Sequence, residues 1–263
     1  SVHPKGMIMF SWIVRQFFCI VAGLSLIGVE FAPDPSLNYV DYGYIPKVST
    51  SNSLRTFSAW IYLHADPPVG HVYTIIGLIK SNAGSAVTIR PDRKLFFFQQ
   101  MDGAGYWTSP LNSVVLNAWV NVIITRDASI ASNQPVMYIE GVSQVVTELI
   151  ASSGALASEE GIHFIIGNYS DGTEVFTEPF DGQIADVRVY DRILTATEAA
   201  QIHSEGIGGT GVKNGLIFQG PVVRTKDLTL YTDLTLTSAY KVLDAMYGYV
   251  GTPSGSPISR ILP

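Results

Sequence analysis

Two aromatic stretches are the residues best suited to chemistry. Tyr106-Trp107 follows Met101-Asp-Gly-Ala-Gly105, which reads as a flexible loop. Tyr169 and Phe176 lie in a second polar stretch, with Asp171 and Glu174 nearby. An aromatic ring on a loop offers a flat apolar face next to polar groups, which is what a sugar ring needs. Tyr106, Trp107, Tyr169 and Phe176 are therefore the candidate glycan-binding residues. The alternative is that these rings cover a sheet edge or contact a neighbouring chain.

Catalytic patterns are missing. Hydrolysis of a glycosidic bond needs two carboxylates on one face, which alternate strand positions would supply. Glu159 and Glu160 are adjacent, so in an extended chain they point to opposite sides, and Asp186 stands alone in its strand. There is no G-x-S-x-G elbow, no H-E-x-x-H and no Walker loop. The five histidines, His3, His64, His71, His163 and His203, are widely separated and read as surface or strand residues. The glycine-rich Gly206–Gly211 follows a helix instead of opening one, so it does not form a phosphate cradle. The expectation is a protein that is not an enzyme.

The elements that must position these residues are mostly strands. Short β-rich runs recur at Leu37–Tyr42, Arg55–His64, Tyr73–Lys80, Ala86–Ile89, Lys94–Gln99, Trp119–Arg126, Val136–Glu140, Gln144–Glu148, His163–Gly167 and Gln183–Tyr190. Gly, Pro, Asn and Asp separate them, the pattern of a β-sandwich or barrel. In Arg55–His64, Phe57, Ala59, Ile61 and Leu63 share one face. Trp60 and Trp119 are expected to anchor the core. One helix is expected over Thr195–Ser204, with Thr195 as N-cap and Glu198 completing a capping box. Beyond the linker Gly206–Gly215, Leu216–Val223 is a candidate strand and Thr225–Thr237 alternates. Ser238–Tyr247 has helical spacing.

The chain has 263 residues, 47% hydrophobic and only 14% charged, with a net charge of −6. No polybasic run exists, which excludes nucleic acid as a direct partner. The single cysteine, Cys19, allows no intrachain disulfide. Met7 to Val29 is almost wholly apolar apart from Arg15 and Gln16. Three readings compete for it: an interface arm, a signal or membrane segment, or part of the main core. Arg15 would cost about 2.5–3.5 kcal/mol at the centre of a bilayer, which favours the arm. So does a start at Ser1, which fits removal of an initiator Met before a small residue.

Four segments in order resemble the concanavalin A-like lectin/glucanase superfamily, in its laminin-G-like form. They are Leu37-Asn-Tyr-Val-Asp-Tyr-Gly43 and Phe57-Ser-Ala-Trp-Ile-Tyr-Leu63, then Trp119–Asp127 with Val136–Val142, then Ile166-Gly-Asn168 with Phe180–Leu194. The resemblance implies an all-β fold, a concanavalin A-like jelly-roll β-sandwich, over residues 34–206. An apolar N-terminal arm (1–33) and a short C-terminal α/β extension (207–263) flank it. The resemblance also implies calcium, held by hard oxygen ligands, with Asp41, Asn168, Asp171 and Asp181 as candidates. The plainer reading makes Asp171-Gly172 and Asp181-Gly182 simple turns. The enzyme relatives carry an E-x-D-x-x-E strand, which this chain lacks. Together these features suggest a non-enzymatic virion structural protein displaying a lectin-like domain, with residues 7–29 and 207–263 contacting copies of itself or other virion proteins. The alternatives are a secreted or surface carbohydrate-binding module, and an endo-glycanase.

Overall fold

A computed structural model describes residues 29–31, 39–45, 53–80, 83–169 and 178–207, and the backbone of strands at 228–233, 242–244 and 250–253. The strands are β1 Val29–Phe31, β2 Val40–Tyr44, β3 Leu54–Leu63, β4 Tyr73–Lys80, β5 Ala83–Ile89 and β6 Leu95–Gln99. There follow β7 Met101–Gly103, β8 Gly105–Thr108, β9 Trp119–Asp127, β10 Val136–Ile139, β11 Val142–Gln144, β12 Thr147–Ile150, β13 Ser153–Leu156, β14 His163–Ile166 and β15 Gly182–Tyr190. The helix α1 spans Ala196–Glu205, and β16 Leu228–Asp233, β17 Val242–Asp244 and β18 Val250–Pro253 complete the series.

Two antiparallel sheets form a sandwich. The first runs β11-β10-β9-β3-β15 and the second β2-β14-β4-β5-β6-β8-β12. β15 carries a bulge between Ala185 and Arg188, and its free edge is shared on either side of that bulge. β1 pairs with Gly182–Ile184, and β16 with Val187–Tyr190. A bulge adds one residue and bends the strand. Asp186, at φ +49°, is that residue, and its carboxylate takes both forks of Arg188 at 2.9 and 2.8 Å. β16, β17 and β18 then carry the hydrogen bonding across to β2.

The alternation expected in β3 holds: Phe57, Ala59, Ile61 and Leu63 lie in the inter-sheet core with Val122, Ile124, Phe164, Phe180 and Val187. The same alternation keeps Trp60 buried but places it outside the inter-sheet core. Trp60 points to the outer face of the first sheet, where its ring stacks on His203 of α1 at 5.6 Å. Trp119 is half-buried and packs edge-on against Tyr62. α1 covers this outer face through a small second core of Ile123, Tyr138, Tyr190, Leu194, Ala199 and Ile202.

The cap of α1 matches its sequence signature. The Glu198 N–H donates to Thr195 Oγ1, and the Thr195 N–H donates to Glu198 Oε2. Arg192 also donates to Glu198 at 2.9 Å. Arg192 and the cap together pull the Glu198 carboxyl down to about 2. A carboxylate held below its unfolded value stabilises the fold above the unfolded pKa and loses that contribution as pH falls through the folded one. Glu198→Gln is therefore expected to cost about 1 kcal/mol at pH 7. The difference from the parent should shrink between about pH 4.5 and pH 2, as followed by urea melts.

Three further expectations change. The 101–105 stretch is strand, not loop: β7 pairs with β13, and β8 lies between β6 and β12. Gln144–Glu148 divides into β11 and β12, which form the outer strands of opposite sheets. Residues 242–244 are β17, although the spacing of Ser238–Tyr247 favours a helix. Val242 and Leu243 pair with β18 and Leu243 and Asp244 with β16, so ladder hydrogen bonds override a weak local propensity. Leu216–Val223 and most of the apolar stretch lie outside the described residues. Val29–Phe31 joins the first sheet, with Phe31 buried against Phe180. Among the described residues no helix is long and apolar enough to cross a membrane.

Candidate functional site

The outer face of the second sheet carries a half-exposed aromatic cluster. β6 reads Leu-Phe-Phe-Phe-Gln, with Leu95, Phe97 and Gln99 turned inward and buried. Phe96 and Phe98 must then face outward, because successive strand residues alternate sides. Tyr106 of the neighbouring β8 joins them, its ring 5.8 Å from Phe96 and 5.3 Å from Phe98. All three rings are partly exposed.

The ladder register sets what surrounds the rings. One row across the strands is Ile165, Gly77, Ala86, Phe98, Tyr106 and Ile150. The next is Thr74, Thr88, Phe96, Thr108 and Thr147. Gly77 is small for a reason. A Cβ there would lie 2.6 Å from Tyr169 Cβ and 2.7 Å from the Asn168 carbonyl oxygen, so the segment after β14 presses down on this position. Tyr169 is thus brought onto the face that carries Tyr106, three strands or about 14 Å away. Gly77 and Ala86 form the floor between them.

Polar groups border the rings. Arg90 extends from the end of β5, and its guanidinium lies over the Phe96 ring at 5.4 Å. The Arg90 N–H donates to the Lys94 carbonyl and the Arg93 N–H to the Arg90 carbonyl, which holds the turn. Thr74 Oγ1 and Thr88 Oγ1 are buried without a hydrogen-bond partner. Each such hydroxyl costs about 1–3 kcal/mol. At the border nearest Asn168, the Glu178 carboxylate accepts from the Val72 N–H at 2.8 Å and lies 3.3 Å from His71 Nδ1. Asn168 Oδ1 accepts from the Tyr169 and Glu178 N–H groups, so it pins both ends of the intervening segment.

The expected glycan-binding set is only partly brought together. Tyr106 and Tyr169 share the outer face. Trp107 does not: it is fully buried, because it follows Tyr106 on the same strand and must point inward. There it stacks on Phe97, lies 4.2 Å beneath the Arg126 guanidinium and donates from Nε1 to Glu148. It is a core residue, which corrects the expectation of an exposed platform. Phe176 and Asp171 lie outside the described residues. Phe96, Phe98 and Arg90 escaped the sequence reading. Their signal was three successive phenylalanines in one strand, which cannot all face inward.

The described calcium candidates do not fit one ion. Asp41 faces His163 at 2.9 Å and caps the Gly43 N–H at 2.7 Å. Asp181 lies 3.4 Å from His64 and is hydrogen-bonded by Tyr73. Asn168 uses its side-chain oxygen on backbone N–H groups. Among the described residues no three His, Cys, Asp or Glu side chains are grouped as metal ligands. Each described histidine instead faces a carboxylate: His64, His71, His163 and His203 pair with Asp181, Glu178, Asp41 and Glu140.

Comparison with known proteins places the architecture. The laminin-G-like family model described as the concanavalin A-like lectin/glucanases superfamily matches residues 37–200. The fold is similar to that of a native heptameric SAP-like pentraxin from Limulus polyphemus. That likeness has 16% identity over 68% of this chain and 81% of the pentraxin, with a TM-score of 0.51. It is also similar to a protein of Bacteroides ovatus assigned to carbohydrate binding, at 17% identity and a TM-score of 0.56, over 85% of this chain and 56% of that one. Identities this low show the fold alone. No curated protein sequence matches the chain.

Proposed function

The chain belongs to the concanavalin A-like lectin/glucanase superfamily, and from that premise we propose that it is a non-enzymatic carbohydrate-binding protein. The ligand lies on the outer face of the second sheet. One observation carries this reading: Phe96, Phe98 and Tyr106 form a half-exposed cluster, and Gly77 lets Tyr169 settle onto the same face. Rigid aromatic rings offer area to a sugar's apolar face at little entropic cost, and the strands beneath hold them in place. The carbohydrate-binding assignment of the Bacteroides ovatus protein supports it further.

The test is a glycan array followed by calorimetry on the strongest binder. Tyr106→Ala and Phe98→Ala are each expected to weaken binding by about tenfold to a hundredfold, or about 1.4–2.8 kcal/mol. Lys80→Ala, an exposed residue at the far end of β4, should leave affinity unchanged. Equal affinity for all three variants would sink the reading. The endo-glycanase alternative predicts release of reducing sugar from β-glucans, and none is expected.

A finer version of the proposal makes this domain part of a virion, as a capsid decoration, fibre or tail component. It rests on the apolar stretch 7–29, the low charge density and the extension 207–263. The pentraxin's heptameric state shows that this fold can be built into oligomers. In that case the chain co-sediments with purified particles. If it appears only in the medium or on the cell surface, the carbohydrate-binding module alone remains. Calcium binding is tested separately: if the chain holds the ion, chelation lowers its melting temperature, and an unchanged melting temperature would remove calcium from the proposal.

A further inference from the structure

We propose that Arg90 makes the aromatic face selective for anionic saccharides, those whose sugar carries a carboxylate or a sulfate. This rests on the glycan-binding reading above and narrows its ligand class.

The first observation is an uncompensated cation. Arg55, Arg93, Lys94, Arg188 and Arg192 each face a carboxylate at 2.6–3.5 Å. Among the described residues Arg90 has no carboxylate partner; Lys80 and the buried Arg126 have none either, but of the three only Arg90 lies on the aromatic face, its guanidinium over the Phe96 ring. A planar guanidinium stacked on a ring keeps its in-plane N–H donors free, and their geometry matches a carboxylate or sulfate. The turn Arg90–Arg93 fixes the base of the side chain.

The second observation is independent of charge. Thr88 lies two residues from Arg90 on the same face and opposite Phe96, and Thr74 is its partner on the other side. Thr74 is 0% exposed and Thr88 2%, and neither hydroxyl has a partner. They sit along the row that holds Phe96, under the position where a ligand drawn by Arg90 would rest. Sugar hydroxyls carry the donors and acceptors that these two hydroxyls lack.

The protein as a whole repels anions, since its net charge is −6. Attraction of an acidic ligand must then be local, and salt must weaken it.

The experiment uses the full chain and matched probes: glucuronate- and sialate-terminated oligosaccharides, sulfated oligosaccharides, and the neutral or methyl-esterified counterparts of each. The parent is expected to bind at least one anionic class about tenfold or more tightly than its neutral partner. Arg90→Gln should bring the two affinities together, and Arg90→Lys should keep a measurable preference. The preference should also shrink between 0.05 and 0.5 M salt, by about the same factor as the charge-dependent part. Equal affinity of the parent for anionic and neutral probes, or a preference that survives Arg90→Gln, would overturn the selectivity while glycan binding stands. If no probe of either kind binds, the underlying reading fails instead.

Discussion

Arg126→Ala is expected to destabilise the fold by about 3–5 kcal/mol, measured by urea unfolding at neutral pH. Arg126 belongs to β9, is only 3% exposed and points between the sheets. Its guanidinium donates to Gln99 Oε1, Ser152 Oγ at 2.7 Å, the Ala131 carbonyl at 3.1 Å and the Asn133 carbonyl at 3.2 Å. One side chain thus fastens the end of β6, the turn after β9 and the segment between β12 and β13. It also covers the Trp107 ring. Burial pushes its pKa down to about 10, so the group is still charged at neutral pH and needs all these acceptors. Alanine leaves them bare and opens a cavity beside Trp107, and both effects are costly. Arg126→Lys should recover little, because an ammonium cannot reach four acceptors spread around a planar fork. A loss under 1 kcal/mol for the alanine variant would refute this role.

Glu159→Ala has a comparable expected cost, about 3–5 kcal/mol. Glu159 is fully buried and meets Arg55 at 2.6 Å. Burial pushes its carboxyl up, while Arg55 and Ser85 pull it down. Arg55 and Arg126 are direct cross-strand partners on β3 and β9. Two like charges side by side in a sheet repel, and the ion pair with Glu159 offsets one of them. Its removal leaves two buried guanidinium groups facing the same interior. The double variant Arg55→Leu with Glu159→Leu should recover most of the loss, since a well-packed apolar pair can replace a buried ion pair at little net cost. If the double variant is as unstable as the single one, packing and not charge accounts for the site.

These polar groups explain why the sandwich is not apolar throughout. The ring core around Ile61, Phe164 and Phe180 is lined by apolar side chains, whereas the end formed by the start of β3 and the end of β9 holds Arg55, Ser85, Gln99, Arg126, Ser152 and Glu159. In sequence these residues look like ordinary strand and loop polars. Nothing local marks Arg126 as inward, because it follows the run Val-Ile-Ile-Thr and precedes an Asp at the strand end.

The candidate site shows the same division. Tyr106 and Tyr169 were legible as aromatic residues next to small and polar ones. Trp107 was not legible as core, because Met101–Gly105 hides a strand whose phase is set only by pairing with β6 and β12. A one-residue error in phase turns every side chain to the opposite face. Phe96 and Phe98 lie in an apolar run that fits burial on both faces equally well, and the place of β6 in the second sheet leaves one face open.

The sequence alone determined the local facts: the strand alternation in β3, the turns between strands, the capping box of α1 and the family resemblance. These depend on residues within a turn or a strand of one another, where period and backbone preference act directly. The tertiary structure decided which faces meet. It brought Tyr169 onto Gly77, set Arg55 opposite Arg126, sent Trp60 under the helix and joined both sheets through β17 and β18. Each of these is a pairing between distant residues, chosen by the register and burial of the whole sandwich, and no short stretch of chain contains it.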